Sequence, residues 1–458
     1  MSNNKILCKW LIKATIENKT PIIIGTGKNL GLIDIEVIKD EQGNFYIPGT
    51  SFKGALRHFL VDYYNIPNKN TLDIFFGSQD QQALATIFDL KAEKKTVIKV
   101  RDGVAIDIKT NIAKKGAKYD YEIVEPGHSF SMNIEINLYS HHIEYKQELL
   151  KLLATIKQVL ENQDEKFAVG SMTTKGFGIL KSNNFKVYEF DFEKDEKAKH
   201  EWFKYLFNED DYLPGVEKEV NIADSYQLEN KNDFSISATF KIKSSLLIGA
   251  SPGPDEEADK VPLKSNGKPV LSGTSLKGVI RSRAIRIINT LNGNGEELIK
   301  ETFGWADTEN TNAENKEAKK IKSRLIVKET IIENAEEKLK NGIKINRFTG
   351  GTIDSALFNA ILLWSKGQDA VHINLQLKNP KNWEKGLLLL ILKDLWTSDL
   401  AIGADKARGA GLLIGSKAEI TDGNQSYTLE QKEAHLEITS DKNKLESYVT
   451  DFINHLNN

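Results

Sequence analysis

Hydrophobic and polar residues alternate along several short segments of the chain, a pattern typical of half-buried β-strands. Strand-like segments of the first half lie at 10–17, 96–108, 121–138 and 178–190. Apolar residues at helical spacing predict a helix over 51–64, with Thr50 or Ser51 capping its first turn. The same spacing predicts a second, amphipathic helix over 145–161.

The second half repeats this order of predicted elements. An alternating strand at 234–242 is followed by predicted helices over 275–291 and 383–400. The order of strand, helix, strands, helix and final strand is that of a ferredoxin-like or RRM-like core. We therefore predict an α+β protein made of two tandem domains of this kind, each with inserted hairpin or helical arms.

Short motifs recur in the same order in both halves. The clearest is GTSFKGALR, which returns as GTSLKGVIR, and each half also has a later glycine-rich element of the form G-x4-[K/R]-G-x-G. The paired segments are 49–57 with 273–281, 76–77 with 303–304, 110–119 with 349–358, and 170–178 with 403–411. Because the order is preserved, we interpret the chain as a duplicated domain.

Length and composition fit two ordinary globular domains. The 458 residues are 28% charged and 40% apolar, which is typical of soluble proteins. We predict domains at 1–192 and 233–458, joined by a charged linker at 193–232, with a polar tail at the C-terminus. The single cysteine, Cys8, excludes an internal disulfide and a thiolate-rich metal site.

Charge and hydropathy limit the partners and the location. No apolar run approaches the roughly 18 residues of a membrane span, and the N-terminal sequence lacks the regions of a signal peptide. We therefore expect a cytoplasmic protein with no membrane partner. The net charge of −2 is unlike the basic balance common in nucleic-acid-binding domains. Since the repeated motifs carry Lys and Arg with few acids, any anion would be bound in a few local grooves.

The repeated motifs combine features of an anion-binding helix start. Backbone N–H groups at a helix N-terminus lack partners within the helix, and the helix dipole favours negative charge there. Lys53 and Arg57 are four residues apart and would share one face, as would Lys277 and Arg281. The alternatives are a capped helix with solvated basic residues, and glycine turns that require positive φ. Recurrence in both halves favours two phosphate-binding grooves, and hence a nucleic acid ligand.

These residues resemble the RAMP superfamily, in particular the backbone subunits of type III CRISPR effector complexes of the Csm and Cmr kind. The resemblance is carried by the loop at 31–40, the helix start at 47–54 and the late glycine-rich elements. It implies two fused subunits that form part of a filament and hold guide RNA. An inserted hairpin would separate guide bases from target bases. The implied partners are guide RNA, target RNA and other subunits of the effector complex.

The motifs and the resemblance together select the RNA-binding candidates. Those of the first half are Gly49, Thr50, Ser51, Lys53, Arg57, Lys175, Gly176, Phe177 and Gly178. Those of the second half are Gly273, Thr274, Ser275, Lys277, Arg281, Arg408, Gly409 and Gly411. Phe177 is the candidate for stacking on a base, but the corresponding residue of the second half is Ala410.

In this family an aspartate in the loop before the motif helix is associated with cutting target RNA. Asp34 lies fifteen residues before Gly49, and Asp259 lies fourteen before Gly273. The resemblance implies that such a carboxylate deprotonates a ribose 2′-OH or holds a divalent cation such as Mg²⁺ near the phosphate, leaving a cyclic phosphate. No tightly bound organic cofactor is expected. The alternative for either aspartate is a residue that caps a turn.

Three further functions remain open at the level of sequence. The first is a catalytically inactive subunit that binds guide RNA in the same complex. The second is a guide-processing RAMP endonuclease, although two complete motif sets weigh against it. The third is an enzyme acting on a small phosphorylated metabolite. The sequence has neither a G-x4-G-K-[S/T] nucleotide loop nor a G-x-S-x-G nucleophile elbow.

Overall fold

A computed structural model describes residues 5–27, 33–107, 110, 112–161, 166–207, 214–228, 233–253, 258–306, 320–433 and 435–457. Part of the predicted loop at 31–40 thus lies outside the described residues. The chain divides into two compact units. The first consists of Met1–Val100, Tyr121–Thr173 and Phe177–Asn230. The second consists of Arg101–Asp120, Thr174–Gly176 and Lys231–Asn458.

The first half supplies eight strands and four helices in its described residues. The strands are β1 (Ile6–Asn18), β2 (Tyr46–Ile47), β3 (Ala85–Ile87), β4 (Leu90–Ala92), β5 (Ile98–Ile106), β6 (Ala113–Val124), β7 (Ser129–Tyr139) and β8 (Leu180–Asp191). The helices are α1 (Gly49–Tyr63), α2 (Lys69–Phe76), α3 (Lys146–Glu161) and α4 (Ala198–Phe207). The helix predicted over 51–64 therefore begins two residues earlier.

An antiparallel sheet forms the core of the first unit. Its strands lie in the order β8-β1-β7-β3, with β4 and β2 continuing beyond β7. Helix α1 connects β1 to β3, and α3 connects β7 to β8, which is the order of a ferredoxin-like fold. Buried apolar side chains of β1 alternate with half-buried polar ones over most of the strand, and the buried stripe of α3 packs near β8.

The sequence predicts a charged linker at 193–232, but the structure places the packed helix α4 within it. Trp202 and Tyr205 of this helix are buried in a cluster with side chains of β1 and β8. Most charged side chains of α4 are exposed, so the charged composition conceals an amphipathic helix. Residues 208–213 and 229–232 of the predicted linker lie outside the described residues.

The second unit contains the corresponding elements. Its strands are β9 (Phe234–Ile242), β10 (Gly249–Ala250), β11 (Val261–Pro262), β12 (Lys264–Ser265), β13 (Lys268–Leu271), β14 (Trp305–Ala306), β15 (Lys320–Ile321), β16 (Leu325–Val327), β17 (Thr330–Ile331), β18 (Ala335–Ile345), β19 (Thr352–Ser365), β20 (Asp369–Leu377), β21 (Leu413–Asp422), β22 (Gln425–Lys432) and β23 (His435–Thr439). Its helices are α5 (Gly273–Thr290), α6 (Gly295–Leu298), α7 (Lys300–Phe303), α8 (Asn382–Trp396) and α9 (Lys442–Asn457). The sheet order is β16-β20-β9-β21-β22-β23, so its first four strands match those of the first unit and confirm the predicted α+β, ferredoxin-like double domain.

The predicted polar tail of the second domain is folded. Strands β22 and β23 extend the sheet, and α9 packs on α8 through its buried apolar stripe, which includes Tyr448 and Phe452. A Cβ atom at Gly386 of α8 would lie 2.1 Å from the Tyr448 carbonyl oxygen, so the two helix backbones approach closely. The sequence also predicts a peripheral helix over 445–456 in this tail, and α9 confirms it, whereas β22 and β23 were not predicted.

Matched hydrogen bonds show that the two halves share one backbone path. The Gly178 amide donates to the Pro21 carbonyl at 2.7 Å, and the Gly411 amide donates to the Ser245 carbonyl at 2.6 Å. The donors, Gly178 and Gly411, are paired by the repeat seen in the sequence, and the acceptors have the same separation along the chain as Gly49 and Gly273. The predicted duplication is therefore confirmed at the level of individual hydrogen bonds.

Each half also carries a long β-hairpin, β5–β6 in the first and β18–β19 in the second. A Cβ atom at Gly103 would lie 2.2 Å from the ring of Tyr119, and one at Gly342 would lie 2.2 Å from the ring of Phe358. Both residues of the second pair are 239 positions after those of the first. The hairpins are therefore equivalent insertions in the two halves.

Among the helices of the described residues, none combines the length and hydropathy that a bilayer crossing requires.

Candidate functional site

The motif helices begin at the first glycine of each repeated motif. Helix α1 starts at Gly49, directly after Pro48, which makes no side-chain bond to the helix, but the Asp89 carboxylate accepts a hydrogen bond from the Gly49 backbone amide at 2.8 Å. The prediction that Thr50 or Ser51 caps this helix is wrong, because both lie inside the first turn. Helix α5 starts at Gly273, and the hydroxyl of Ser272 accepts a hydrogen bond from the Ser275 amide at 3.3 Å.

The first glycine of the motif allows a close backbone approach. A Cβ atom at Gly49 would lie 2.2 Å from the Ile87 carbonyl oxygen, and one at Gly273 would lie 2.4 Å from the Val327 carbonyl oxygen. Ile87 and Val327 end the equivalent strands β3 and β16. Each motif helix therefore starts directly against a sheet strand, and this position requires glycine for packing within the chain.

The second glycine of the motif has no such role. Gly54 and Gly278 are exposed within their helices, and no described atom would lie within 4 Å of a Cβ atom at either position. Glycine in a helix interior costs about 1 kcal/mol relative to alanine. No packing contact within the described residues explains why glycine recurs here. Glycine at this position would allow the backbone of a ligand to approach the helix closely.

The motif lysines bind protein oxygens. Lys53 donates to the Ala85 carbonyl at 3.3 Å, and Lys277 donates to the Leu325 carbonyl at 2.7 Å. Ala85 and Leu325 begin the equivalent strands β3 and β16, so the lysine ties the helix to the sheet in both halves. Lys277 is only 7% exposed. The prediction of a direct phosphate contact by Lys277 is thus corrected to a structural role.

The motif arginines differ between the halves. Arg57 donates to the Gly77 carbonyl at 2.7 Å and pairs with Asp73. Arg281 has a buried Nε without a hydrogen-bond partner in the described part of the chain. At the position corresponding to Asp73 the second half has Lys300. Arg281 therefore lacks the carboxylate that holds its counterpart.

Lys175, Lys277 and Arg281 form a basic cluster within the second unit. Burial, followed by the positive charges of Lys175 and Arg281, lowers the pKa of Lys277 to about 7. Burial also lowers the pKa of Lys175. No carboxylate pairs with these three side chains among the described residues. Such a concentration of unneutralised positive charge favours an anion nearby.

We expect K277M to be more destabilising than K53M. The Lys277 ammonium donates to Leu325, to Ser323 at 2.7 Å and to Thr174 at 3.2 Å, so its loss removes three hydrogen bonds at once. The expected loss in free energy of unfolding is about 1–3 kcal/mol for K277M and below about 1 kcal/mol for K53M. Urea denaturation at one pH measures both.

Comparing K277M with the wild type also tests the pKa of Lys277. Its folded-state pKa of about 7 lies below the ordinary value near 10.5. Between these values the unfolded chain binds more protons, so the stability of the wild type relative to K277M should rise with pH from about 7 to about 10.5. A difference that stays constant over this range would show that Lys277 remains charged.

The late glycine-rich elements are tight turns. Gly178 and Gly411 adopt φ of 76° and 85°, and Cβ atoms there would lie 2.0 Å from the Val169 carbonyl oxygen and 1.9 Å from that of Ile402. The sequence alternative of turns that require positive φ is confirmed for these positions. Gly176 and Gly409 also have positive φ, but a Cβ atom at Gly409 would meet no described atom within 4 Å.

Phe177 is fully buried, with its ring edge-on to Tyr121 at a centroid separation of 6.4 Å. The prediction that Phe177 stacks on a base is wrong, because the turn directs this side chain into the core. Its counterpart Ala410 is also buried. The residue between the last two glycines therefore anchors the turn in both halves.

Asp34 and Asp259 occupy equivalent positions on the backbone. The residue after Asp34 is Ile35, whose carbonyl accepts from the Glu122 amide at 2.9 Å. The residue after Asp259 is Lys260, whose carbonyl accepts from the Ile361 amide, also at 2.9 Å. Both aspartates are exposed. Each lies beside the base of the inserted hairpin of its own half.

Asp259 is held by reciprocal hydrogen bonds to Asn359 of β19. The Asp259 backbone N–H donates to the Asn359 side-chain oxygen at 2.7 Å, and the Asn359 backbone N–H donates to Oδ2 of Asp259 at 2.9 Å. The other carboxylate oxygen, Oδ1, has no hydrogen-bond partner within the described ranges. The carboxylate is therefore oriented by the hairpin and keeps one oxygen available.

The second glycine-rich turn lies close to this aspartate. The guanidinium of Arg408 lies over the ring of Phe358, 4.3 Å from its centroid, and Phe358 precedes Asn359. Asp405 pairs with Arg408 and also with Lys260, each at 3.3 Å. Two predicted site residues from distant parts of the sequence, Asp259 and Arg408, thus lie in one cluster.

A family model of the RAMP superfamily matches residues 15–181 and 239–414. Together the two matches cover about three quarters of the chain. The chain belongs to the RAMP superfamily. The two matched regions confirm that two RAMP domains are fused in one chain, and membership supports a CRISPR-associated, RNA-binding role. A search of curated proteins found no match.

Four residues of the Asp259 cluster in the second RAMP domain were missed by sequence reasoning. They are Lys260, Phe358, Asn359 and Asp405. The repeat of 110–119 in 349–358 contained a signal for Phe358, because it aligned this residue with Tyr119. No sequence pattern linked Asn359 to Asp259, which lies 100 positions earlier.

In the part of the chain that the structure describes, the site around Asp259 would hold a divalent cation only together with bound RNA. Among the described residues, no group of three His, Cys, Asp or Glu side chains is placed to bind a metal ion. Mg²⁺ in nucleic-acid enzymes is often held by one or two carboxylates plus phosphate oxygens and water. Oδ1 of Asp259 fits the part of a single carboxylate ligand, with RNA phosphate as the remaining support.

Proposed function

We propose that this RAMP protein is a backbone subunit of a type III CRISPR effector. It binds guide RNA and cleaves complementary target RNA, with Asp34 and Asp259 as the catalytic residues. The observation that carries the proposal is the position of Asp259. Its exposed carboxylate is fixed between the base of hairpin β18–β19 and the turn that carries Arg408. Asp34 has the equivalent backbone position in the first half.

Hairpin β18–β19 has the surface expected of an element that contacts bases. Large apolar side chains on it are more than half exposed, namely Leu339, Ile343, Ile345, Phe348 and Leu357. An exposed aromatic ring such as that of Phe348 stacks readily on unpaired bases, and apolar side chains can insert between neighbouring bases. Lys175 and Arg281 in the same unit add positive charge for a phosphate backbone, with Lys277 holding the helix start between them.

The proposed reaction is an internal transesterification of the target strand. Oδ1 of the aspartate accepts the proton of a ribose 2′-OH, and the resulting oxygen attacks the adjacent phosphorus. The bond from phosphorus to the 5′-oxygen breaks, and this oxygen takes up a proton from solvent. The products are a 2′,3′-cyclic phosphate and a 5′-hydroxyl. A bound divalent cation such as Mg²⁺ would supply charge neutralisation at the phosphate.

The proposal is tested with the full chain purified together with any associated RNA and subunits. We expect an absorbance spectrum dominated by nucleic acid, which nuclease digestion changes to that of protein. Labelled RNA complementary to the recovered guide should be cut at two positions and carry cyclic phosphate ends. Equal cutting of non-complementary RNA, or a preparation without RNA, would contradict the proposal.

A catalytically inactive guide-binding subunit is the second candidate. It is favoured by one observation, namely that Oδ2 of Asp259 already accepts a backbone hydrogen bond, as a turn-capping aspartate would. RNA binding without cutting of a complementary target would support it. Cutting of a guide precursor instead of the target would indicate the guide-processing activity considered from the sequence.

A further inference from the structure

We infer that Asn359 is a positioning residue that sets the orientation of the Asp259 carboxylate for cleavage, an inference that rests on the proposed function. Asn359 contacts Asp259 through two bonds that run in opposite directions. Its side-chain oxygen accepts from the Asp259 backbone N–H at 2.7 Å, and its backbone N–H donates to Oδ2 of Asp259 at 2.9 Å, so only the first bond depends on the asparagine side chain. Together they fix both the backbone and the side chain of Asp259.

The two carboxylate oxygens of Asp259 therefore have different surroundings. Oδ2 faces the hairpin strand, and Oδ1 has no partner in the described part of the chain. A general base must come within about 2.6–3.2 Å of the proton that it removes. With Oδ2 held, rotation of the carboxylate is restricted, so Oδ1 is presented in one direction.

Asn359 is itself held in a rigid part of the fold. It lies on β19 opposite Asn341 of β18, and the next residues bridge to Lys260. The preceding side chain, Phe358, lies between Gly342 and the guanidinium of Arg408. The hairpin base is therefore a fixed reference for the position of Asp259.

The charged groups around Asp259 leave its orientation to Asn359. Lys260, the residue next to it, pairs with Asp405, and Arg408 pairs with the same carboxylate. Neither cation forms an ion pair with Asp259 among the described residues. At the position corresponding to Asn359, 239 residues earlier, the first half has Asp120. The residue type at this position therefore differs between the two repeats.

The test compares N359A and N359D in the full chain with its associated guide RNA and subunits. N359A removes the acceptor for the Asp259 amide, and we expect the cut assigned to Asp259 to slow by roughly 10- to 100-fold because small misplacements of a catalytic group have effects of this size. The other cut and the affinity for target RNA should be unchanged. N424A, which changes an exposed asparagine in the turn between β21 and β22, is the matched control and should cut like the wild type.

N359D keeps the acceptor oxygen but adds a negative charge beside Asp259. A like charge raises the pKa of a carboxyl group, so the acidic limb of the pH–rate profile for this cut should move to higher pH. At pH values above that limb, N359D should recover most of the rate lost in N359A. A residue that merely supports the fold would not move the profile.

The outcomes separate this inference from the function on which it rests. If D259A removes a cut that N359A and N359D leave unchanged in rate and pH dependence, the positioning role is refuted and the cleavage function stands. If the wild type makes no cut that D259A removes, both are refuted. Equal slowing of both cuts by N359A would also refute the positioning role, since it would indicate a general loss of structure.

Discussion

Replacing Asp259 by alanine should remove one cut in the target RNA, and replacing Asp34 should remove a different one. General-base catalysis contributes about 10²–10⁴ to a rate, so each variant should lose at least about 10² in the rate of its own cut. The two aspartates have matched backbone hydrogen bonds in separate halves of the chain. Each loss should therefore leave the other cut in place. Gel analysis of end-labelled target measures both rates in one experiment.

The interpretation of these variants depends on RNA binding. Neither aspartate is part of the basic cluster, so the affinity for guide and target should change little in D34A or D259A. D62A, which removes an exposed carboxylate from α1 outside the motif, is the control for surface charge. If both cuts survive in the double variant D34A/D259A, the chain is not the nuclease in the way proposed. Simultaneous loss of both cuts in either single variant would show that the two sites are not independent.

Two glycines of one helix should respond to alanine in opposite directions. In G273A the new Cβ atom would lie 2.1 Å from the Lys175 carbonyl oxygen and 2.4 Å from that of Val327. Both contacts are with backbone atoms, so we expect a loss of about 2–4 kcal/mol in the free energy of unfolding. In G278A the Cβ atom meets nothing, and a gain of about 0.5–1 kcal/mol is expected. Urea denaturation of both variants measures the two effects.

The first half provides an independent copy of the same comparison. G49A would bring its Cβ atom to 2.2 Å from the Ile87 carbonyl oxygen, whereas G54A has open space. If RNA lies against the motif helices, G54A and G278A should bind it more weakly although they are more stable. Stabilised variants with unchanged RNA affinity would show that the second glycine does not admit a ligand.

The order of repeated segments was enough to predict the double domain and the equivalence of Asp34 and Asp259. Each motif has a local cause that a sequence retains, such as a glycine required at a helix start or a turn with positive φ. Amphipathic spacing likewise located α1, α3, α5 and α8 to within a few residues. These features depend on neighbours in the sequence, and so they could be predicted.

The errors arose where contacts are distant in sequence. Lys277 looks like a free cation beside a helix start, but its acceptors Ser323 and Leu325 lie 46 and 48 residues later. Phe177 follows a basic residue between glycines, yet its burial is decided by the sheet on which the turn packs. The pairing of Asn359 with Asp259 depends on hairpin β18–β19, which begins far from Asp259 in the sequence. Such contacts follow from tertiary structure and leave no local pattern.

The close approach of α8 and α9 at Gly386 has a consequence for where the second half can be shortened. The family match ends at residue 414, but α9, which lies beyond it, covers apolar side chains of α8. A protein truncated at this boundary would expose those side chains to water, so we expect it to be less stable than the full chain.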